Sequence, residues 1–292
     1  MTSSLRELVA EELSMPVDSR VTAMGKAIAA KHGRASLAVL FYGSCLRQKQ
    51  LEGLMLDFYL VVSDYRQAYA KRWLVAANRL IPPNVFYFEK GGLAAKYAVL
   101  SEADFERECG PGARSTSVVA RFAQPSRLVW SANADALRAV VDSVSQCAPA
   151  LLGWTVPLAP RGTSMADLWT RAFQLTFGAE LRAERGDRSS SIVEADRRRY
   201  EQFGKAAEAG IRPSSTSSAS RWWKHMQRKG KLLSVLRLAK ASATFSGGAE
   251  YIAWKINRHA GTRIELKPWQ RRWPLLAGLT LLPRLLKSGA IR

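Results

Sequence analysis

Three residues early in the chain have the types and spacing to hold a phosphorylated ligand. A hydrophobic run ends in Tyr42-Gly43-Ser44, and a second run, Met55 to Val62, carries one carboxylate, Asp57, near its start. Gly43 has no Cβ, so the backbone there can come close to a phosphate. Ser44 offers a hydroxyl and an N–H to terminal phosphates, and Asp57 is the residue type that holds the divalent metal screening them. The setting of Asp57 matters more than its spacing. Met55 to Val62 is otherwise apolar apart from Tyr59 and reads as a strand covered on both faces. An ionised carboxylate there costs several kcal/mol unless a cation or good donors face it. The bland alternative is an ordinary turn followed by a hydrogen-bonded structural Asp.

Cations with matching chemistry follow. Lys96 stands in an apolar stretch, Ala94 to Ser101, where a Lys is costly without an anion opposite. A bound phosphate meets that need; an edge-strand Lys reaching back to water is the alternative. Arg121, in Arg121-Phe122-Ala123-Gln124-Pro125, can clamp a phosphate with two parallel hydrogen bonds or make an internal salt bridge. Arg212 with Ser214 and Ser215 forms either an anion-binding turn or part of a serine-rich linker. Lys255 reads as a solvated charge, and His32, His225 and His259 as surface or structural histidines. Asp64 and Glu89 offer carboxylates for a second metal ligand, but both read better as solvated termini of a turn and a hairpin.

The elements that must position these groups divide the chain. Ser19 to His32 is an amphipathic helix with Val21, Met24 and Ile28 inward and Gly33 as its stop. After the strands bearing Gly43 and Asp57, Tyr65 to Leu80 reads as one basic helix ended by Pro82-Pro83. Asn84–Glu89, a Lys90-Gly91-Gly92 turn and Ala94–Ser101 make a β-hairpin. Ser117 to Ala132 reads as extended around Pro125, and Asn133 caps a helix to about Cys147. Composition shifts after Gly153. Ser164 and Asp167 form a capping box before a helix bearing Trp169, Phe173 and Phe177. Two basic helices follow, near 222–243 and 249–259. Strands dominate the first half and helices the second, so the fold class is α/β (α+β), a mixed sheet plus a helical part.

Composition bounds the partners. From Lys205 to Arg292 there are 18 Lys and Arg against 3 Asp and Glu, so most of the net charge of +20 lies in the last third. Five of the nine tryptophans lie there too: Trp222, Trp223, Trp254, Trp269 and Trp273. Basic plus aromatic suits nucleic acid or an anionic membrane surface. From Trp273 onward, leucines at three-to-four spacing among Arg and Lys fit a helix lying in the headgroup layer, or one packed on the protein's own core. No apolar run of membrane-spanning length exists. The segment MTSSLRELVAEEL has acidic residues and no apolar core of signal-peptide length, so no presequence is expected. Cys45, Cys109 and Cys147 are scattered, show no metal-ligand spacing, and fit free thiols in a reducing compartment.

A series of short segments in order resembles the phosphatidate cytidylyltransferases of the mitochondrial translocator assembly and maintenance type, within the nucleotidyltransferase superfamily. They are Tyr42-Gly43-Ser44, Met55-Leu56-Asp57-Phe58 leading to Asp64, Val85-Phe86-Tyr87, Lys96-Tyr97-Ala98-Val99-Leu100-Ser101, Ala120 to Pro125, and Ile211-Arg212-Pro213-Ser214-Ser215. The resemblance spans about 36 to 260 and is thin between 135 and 205. It implies a nucleotidyltransferase domain (1–153), a helical, winged-helix-like basic domain (154–265) and an amphipathic, membrane-associating segment (266–292). It also implies an enzyme that makes CDP-diacylglycerol and pyrophosphate from CTP and phosphatidic acid with magnesium, for phosphatidylglycerol and cardiolipin. The place implied is the cytoplasmic face of a bacterial inner membrane, against anionic lipid rather than nucleic acid. Asp57 would be a metal ligand; Lys96 and Arg121 would act at the phosphates; Gly43 and Ser44 would bind the triphosphate; Arg212, Ser214 and Ser215 would lie near the lipid phosphate. Many nucleotidyltransferases carry a second acid two residues after the first, but that position is Tyr59 here. Glu180, near Arg182, aligns loosely with a family acid and is the second metal ligand the resemblance favours. Two rival classes stay open: a nucleotidyltransferase acting on RNA or a small molecule, and a nucleic-acid-binding protein with a decayed catalytic domain.

Overall fold

In a computed structural model of the protein, residues 3–48, 51–180 and 188–244 are described. Lys255, His259, the expected helix at 249–259 and the amphipathic segment 266–292 with Trp269 and Trp273 lie outside them. The elements run α1 (Leu5–Ser14), α2 (Ser19–His32), β1 (Ser36–Tyr42), α3 (Ser44–Gln48), β2 (Met55–Val62), α4 (Tyr65–Ala68), α5 (Arg72–Leu80), β3 (Asn84–Lys90), β4 (Leu93–Ser101), α6 (Glu102–Cys109) and α7 (Thr116–Phe122). There follow β5 (Ser126–Ser131), α8 (Ala134–Ser145), α9 (Cys147–Thr155), α10 (Met165–Phe177), α11 (Arg188–Glu194), α12 (Arg197–Ala207) and α13 (Thr216–Thr244).

The five strands form one mixed sheet in the order β3-β4-β2-β1-β5. β2 and β4 are parallel and every other neighbouring pair is antiparallel. Side chains alternate along β2 as the pleat requires. Leu56, Phe58, Leu60 and Val62 face a cluster with Val21, Met24 and Ile28 of α2. Tyr59 and Val61 face a larger cluster built from α1 and from helices α6 to α13. β2 is thus covered on both sides, and Asp57 shares the pleat face of Tyr59. No described helix is long and apolar enough to cross a membrane.

Local signals place many boundaries. Gly33 ends α2 with φ at +53°, Ser164 accepts from Asp167 N at 3.2 Å to start α10, and Asn133 caps α8. Elsewhere tertiary contacts override the local pattern. The stretch read as extended from Ser117 is helix α7 up to Phe122, because Val118, Val119 and Phe122 are buried together on the sheet. Only after Pro125, which disfavours helix in the residue before it, does the chain become strand β5. The helix expected from Tyr65 to Leu80 is broken at Tyr69, whose backbone is extended. Gly153 lies inside α9, and the larger core cluster runs on without a break to Trp169, Phe173, Tyr200 and Trp223. Cys109 and Cys147, far apart in the chain, come together as buried free thiols near enough to raise the Cys109 pKa beyond the effect of burial.

Two close approaches fix the helical half. Arg199 on α12 forks onto Glu12 of α1, with Nη2 to Oε1 at 2.9 Å, donates to Ala123 O at 3.1 Å, and lies 4.1 Å over the Phe203 ring. Breaking such a buried pair typically costs about 3–5 kcal/mol, since one charge is then left alone. On α13, a Cβ at Gly230 would fall 2.1 Å from the carbonyl oxygen of Ala179, so the helix backbone itself packs against the turn after α10.

A Gly-to-Ala change inside a helix ordinarily gains about 1 kcal/mol in propensity. Gly230→Ala is expected to do the reverse, lowering unfolding stability by about 1–3 kcal/mol in urea denaturation, because backbone cannot yield to the new methyl. His32 supplies a pH test. Its Nδ1–H donates to Ala68 O (3.1 Å), leaving Nε2 to accept from the Tyr97 hydroxyl (3.2 Å), and burial pushes its pKa down with Lys31 adding to the effect. The unfolded ring, with a pKa of about 6.5, therefore binds the proton first as pH falls. His32's contribution is whole above that value and is lost below it. The melting temperature should drop on acidification through about pH 6.5, less steeply in His32→Gln.

Candidate functional site

The site is built on one row across the sheet. Ser126, Tyr42, Asp57, Lys96 and Tyr87 are successive register partners on β5, β1, β2, β4 and β3. Lys96 Nζ lies 2.9 Å from Asp57 Oδ1, with the two side chains 27% and 17% exposed. β4 is an inner strand, so the edge-strand explanation of Lys96 does not hold; its anion is Asp57. Gly43 has φ at +95°, and a Cβ there would fall 2.8 Å from Asp57 Oδ2. The glycine is needed twice over, for its backbone angle and for the space beside the carboxylate. Ser44 begins α3, its hydroxyl against the thiol of Cys45, whose pKa burial and the nearby Asp57 push up.

Arg121 comes from α7, whose helical form turns this side chain onto the same face. It donates to Ser117 O at 2.6 Å and lies 3.6 Å from a carboxylate oxygen of Glu180, in the turn after α10. Burial alone would weaken its charge, but the nearby carboxylates, Glu180 foremost and then Asp57, compensate, and its pKa is raised. The internal salt bridge read as the alternative for Arg121 is therefore present. Tyr59 and Tyr42 pack with ring centroids 5.4 Å apart, and burial pushes both phenols up, so they stay neutral.

The remaining sequence candidates lie apart from this group. Arg212 donates to Ala209 O and Ile211 O, and its backbone rests against Gly153. Ser215 accepts from Ser218 N at 3.3 Å and so caps α13, while Ser214 donates weakly to Ser215 O. None of these contacts reaches Asp57, Lys96 or Arg121. Asp64 caps α4 and Glu89 accepts from Tyr87 on the exposed hairpin, as expected of solvated termini.

Arg237 of α13 was not singled out from sequence, yet it reaches this region. It donates to Pro82 O at 2.8 Å and to the hydroxyl of Ser117 at 3.0 Å. The signal was available: Arg237 stands among Leu232, Leu233, Val235, Leu236 and Leu238, the same anomaly that marked Lys96. Asp57, Glu180, Lys96 and Arg121 thus gather two carboxylates and two cations, a set suited to receiving a polyanion accompanied by a metal, and Arg237 stands beside it across Ser117.

Among the described residues, no three His, Cys, Asp or Glu side chains converge to hold a metal by themselves. Magnesium does not require that; it typically takes one or two carboxylates, with waters and substrate phosphates completing the shell. Asp57 fits that role because the missing Cβ of Gly43 leaves the backbone bend against its Oδ2. Glu180 is already engaged with Arg121. No protein-family model matches the chain, and a search of curated proteins finds no match either. The functional reading therefore rests on the residues.

Two glycines with positive φ separate strain from crowding. Gly43→Ala and Gly91→Ala both force an unfavourable backbone angle, worth about 1–2 kcal/mol. A Cβ at Gly91 meets open space, whereas one at Gly43 meets Asp57. Urea unfolding should show Gly43→Ala to be the more destabilising by about 1 kcal/mol or more; equal losses would mean an ordinary turn.

Proposed function

We propose that this protein is a magnesium-dependent CTP:phosphatidate cytidylyltransferase of nucleotidyltransferase type, forming CDP-diacylglycerol and pyrophosphate for phosphatidylglycerol and cardiolipin synthesis. The observation that carries the reading is Asp57, a carboxylate on an inner strand, crowded against the Gly43 bend and flanked by Lys96 and Arg121. The ordered resemblance of sequence segments supplies the substrates.

The chemistry asks little of general bases. The second pKa of a phosphomonoester is about 6, so the phosphate of phosphatidic acid is already an anionic nucleophile near neutral pH. Its oxygen bonds to the α-phosphorus of CTP as the bond to the bridging oxygen of the β-phosphate breaks, and pyrophosphate leaves with that electron pair. What the protein contributes is positioning and charge neutralisation. Gly43 and Ser44 cradle phosphate oxygens; Lys96 and Arg121 turn from their carboxylates to the incoming anion. Asp57 would hold magnesium, which supplies further neutralisation of the triphosphate, and Glu180, released by Arg121, is the second candidate ligand. His32, committed to Ala68 and Tyr97, has no part in this.

A membrane-facing role fits the surface of α13 and α5. Leu232 and Leu236 of α13 are exposed one turn apart, and Trp73 and Leu80 on α5 are exposed about two turns apart beside Lys71, Arg72 and Arg79. Apolar side chains bordered by cations suit an anionic bilayer better than a nucleic acid. The site of action we infer is the cytoplasmic face of a bacterial inner membrane, the protein being held there peripherally.

Labelled CTP and vesicles containing phosphatidic acid should yield a lipid-extractable labelled product only with magnesium. Asp57→Asn, which keeps the shape but not the charge, is expected to lower that rate at least about a hundredfold. Full turnover by the variant, or label passing to RNA instead of lipid, would reject the proposal.

A further inference from the structure

We propose that Arg237 and Arg121, held together by Ser117, form a second anion site that takes a phosphomonoester dianion, separate from the bend of Gly43, Asp57 and Lys96. In assigning that anion to the acceptor substrate, the inference rests on the functional reading above.

One residue holds two guanidinium groups. Arg121 donates to the carbonyl of Ser117 at 2.6 Å while Arg237 donates to its hydroxyl at 3.0 Å. Arg237 also donates to Pro82 O at 2.8 Å and, at the limit of hydrogen bonding, to the hydroxyl of Ser115 at 3.5 Å. Every one of these acceptors is uncharged, and among the described residues no carboxylate lies within ion-pairing distance of Arg237. The two nearby acids are committed elsewhere. Glu180 pairs with Arg121. Glu108 accepts from Arg107, Arg114 N, Ser115 N and the Ser115 hydroxyl.

Two like charges held this close repel, and partial burial removes the water that would screen them. Burial and the neighbouring Arg121 accordingly push the Arg237 pKa down. A protein accepts such an arrangement where a ligand supplies the missing negative charge. A phosphomonoester carries a charge of about −1.5 to −2 near neutral pH, and its oxygens accept planar forks from two arginines. A carboxylate supplies half that charge. The hydroxyls of Ser115 and Ser117, between Arg237 and Glu108, can turn to donate to the same oxygens.

The two sources of such an anion are the acceptor's phosphate and the terminal phosphates of the nucleotide. Titrating the full chain by calorimetry with glycerol 3-phosphate, and separately with CTP plus magnesium, distinguishes them. The wild type should bind both. Arg237→Gln should bind glycerol 3-phosphate at least about tenfold more weakly with CTP affinity unchanged, and Arg237→Lys should fall between. No binding of glycerol 3-phosphate to the wild type, or unchanged binding to Arg237→Gln, would overturn the proposal; so would an equal loss for CTP, which would give Arg237 to the nucleotide. Should the variants not fold, phenylglyoxal labelling of the wild type read by mass spectrometry replaces them. Protection of Arg237 by glycerol 3-phosphate supports the site, and its absence overturns it. Arg237-dependent phosphomonoester binding without any CDP-lipid formation would leave this site standing and remove the functional reading instead.

Discussion

Everything at the centre of this protein follows from placing a carboxylate and an ammonium on adjacent inner strands of a sheet covered on both faces. Asp57 and Lys96 are register partners, and their charges meet at 2.9 Å where little water reaches. Neither would be tolerated there alone, since an unpaired charge in such surroundings costs several kcal/mol. A pure hydrophobic pair would pack at least as well, so stability does not explain the choice. On the function we propose, the pair would hold itself together until an anionic ligand arrives.

That principle extends outward from the row. Arg121 faces Glu180, and among the described residues Arg237 donates to uncharged oxygens alone, so the positive charge there is progressively less compensated away from Asp57. The helices set this gradient. α7 delivers Arg121, the turn after α10 delivers Glu180, and α13 delivers Arg237. Their mutual positions depend on Gly230 lying against Ala179 and on the buried fork between Arg199 and Glu12. The helical half is thus part of the site's construction, and the core shared by both halves is what transmits its geometry.

Much of this was legible in the residues because the physics there is local. A glycine after a hydrophobic run, an acid inside an apolar strand and a lysine inside another announced Gly43, Asp57 and Lys96, since each is costly without a specific neighbour. The caps at Asn133 and Ser164 and the stop at Gly33 were equally plain, because a cap bonds to backbone within three residues. The segment from Ser117 to Phe122 was not. Its two valines and a phenylalanine favour a strand locally, and burial against the sheet outweighed that preference. Arg212, Ser214 and Ser215 read equally as an anion-binding turn or a serine-rich linker, and their hydrogen bonds serve the chain's own backbone and the start of α13.

The amino-acid sequence by itself determined the two-faced strands, the tight bend, the isolated acid and the uneven charge, all consequences of periodicity and of what single residues tolerate. Only the tertiary structure decided that Lys96 answers Asp57, that Cys109 meets Cys147, and that Arg121, Glu180 and Arg237 converge. Those outcomes depend on residues from distant parts of the chain sharing one desolvated space, and no local spacing encodes which of many possible partners will occupy it.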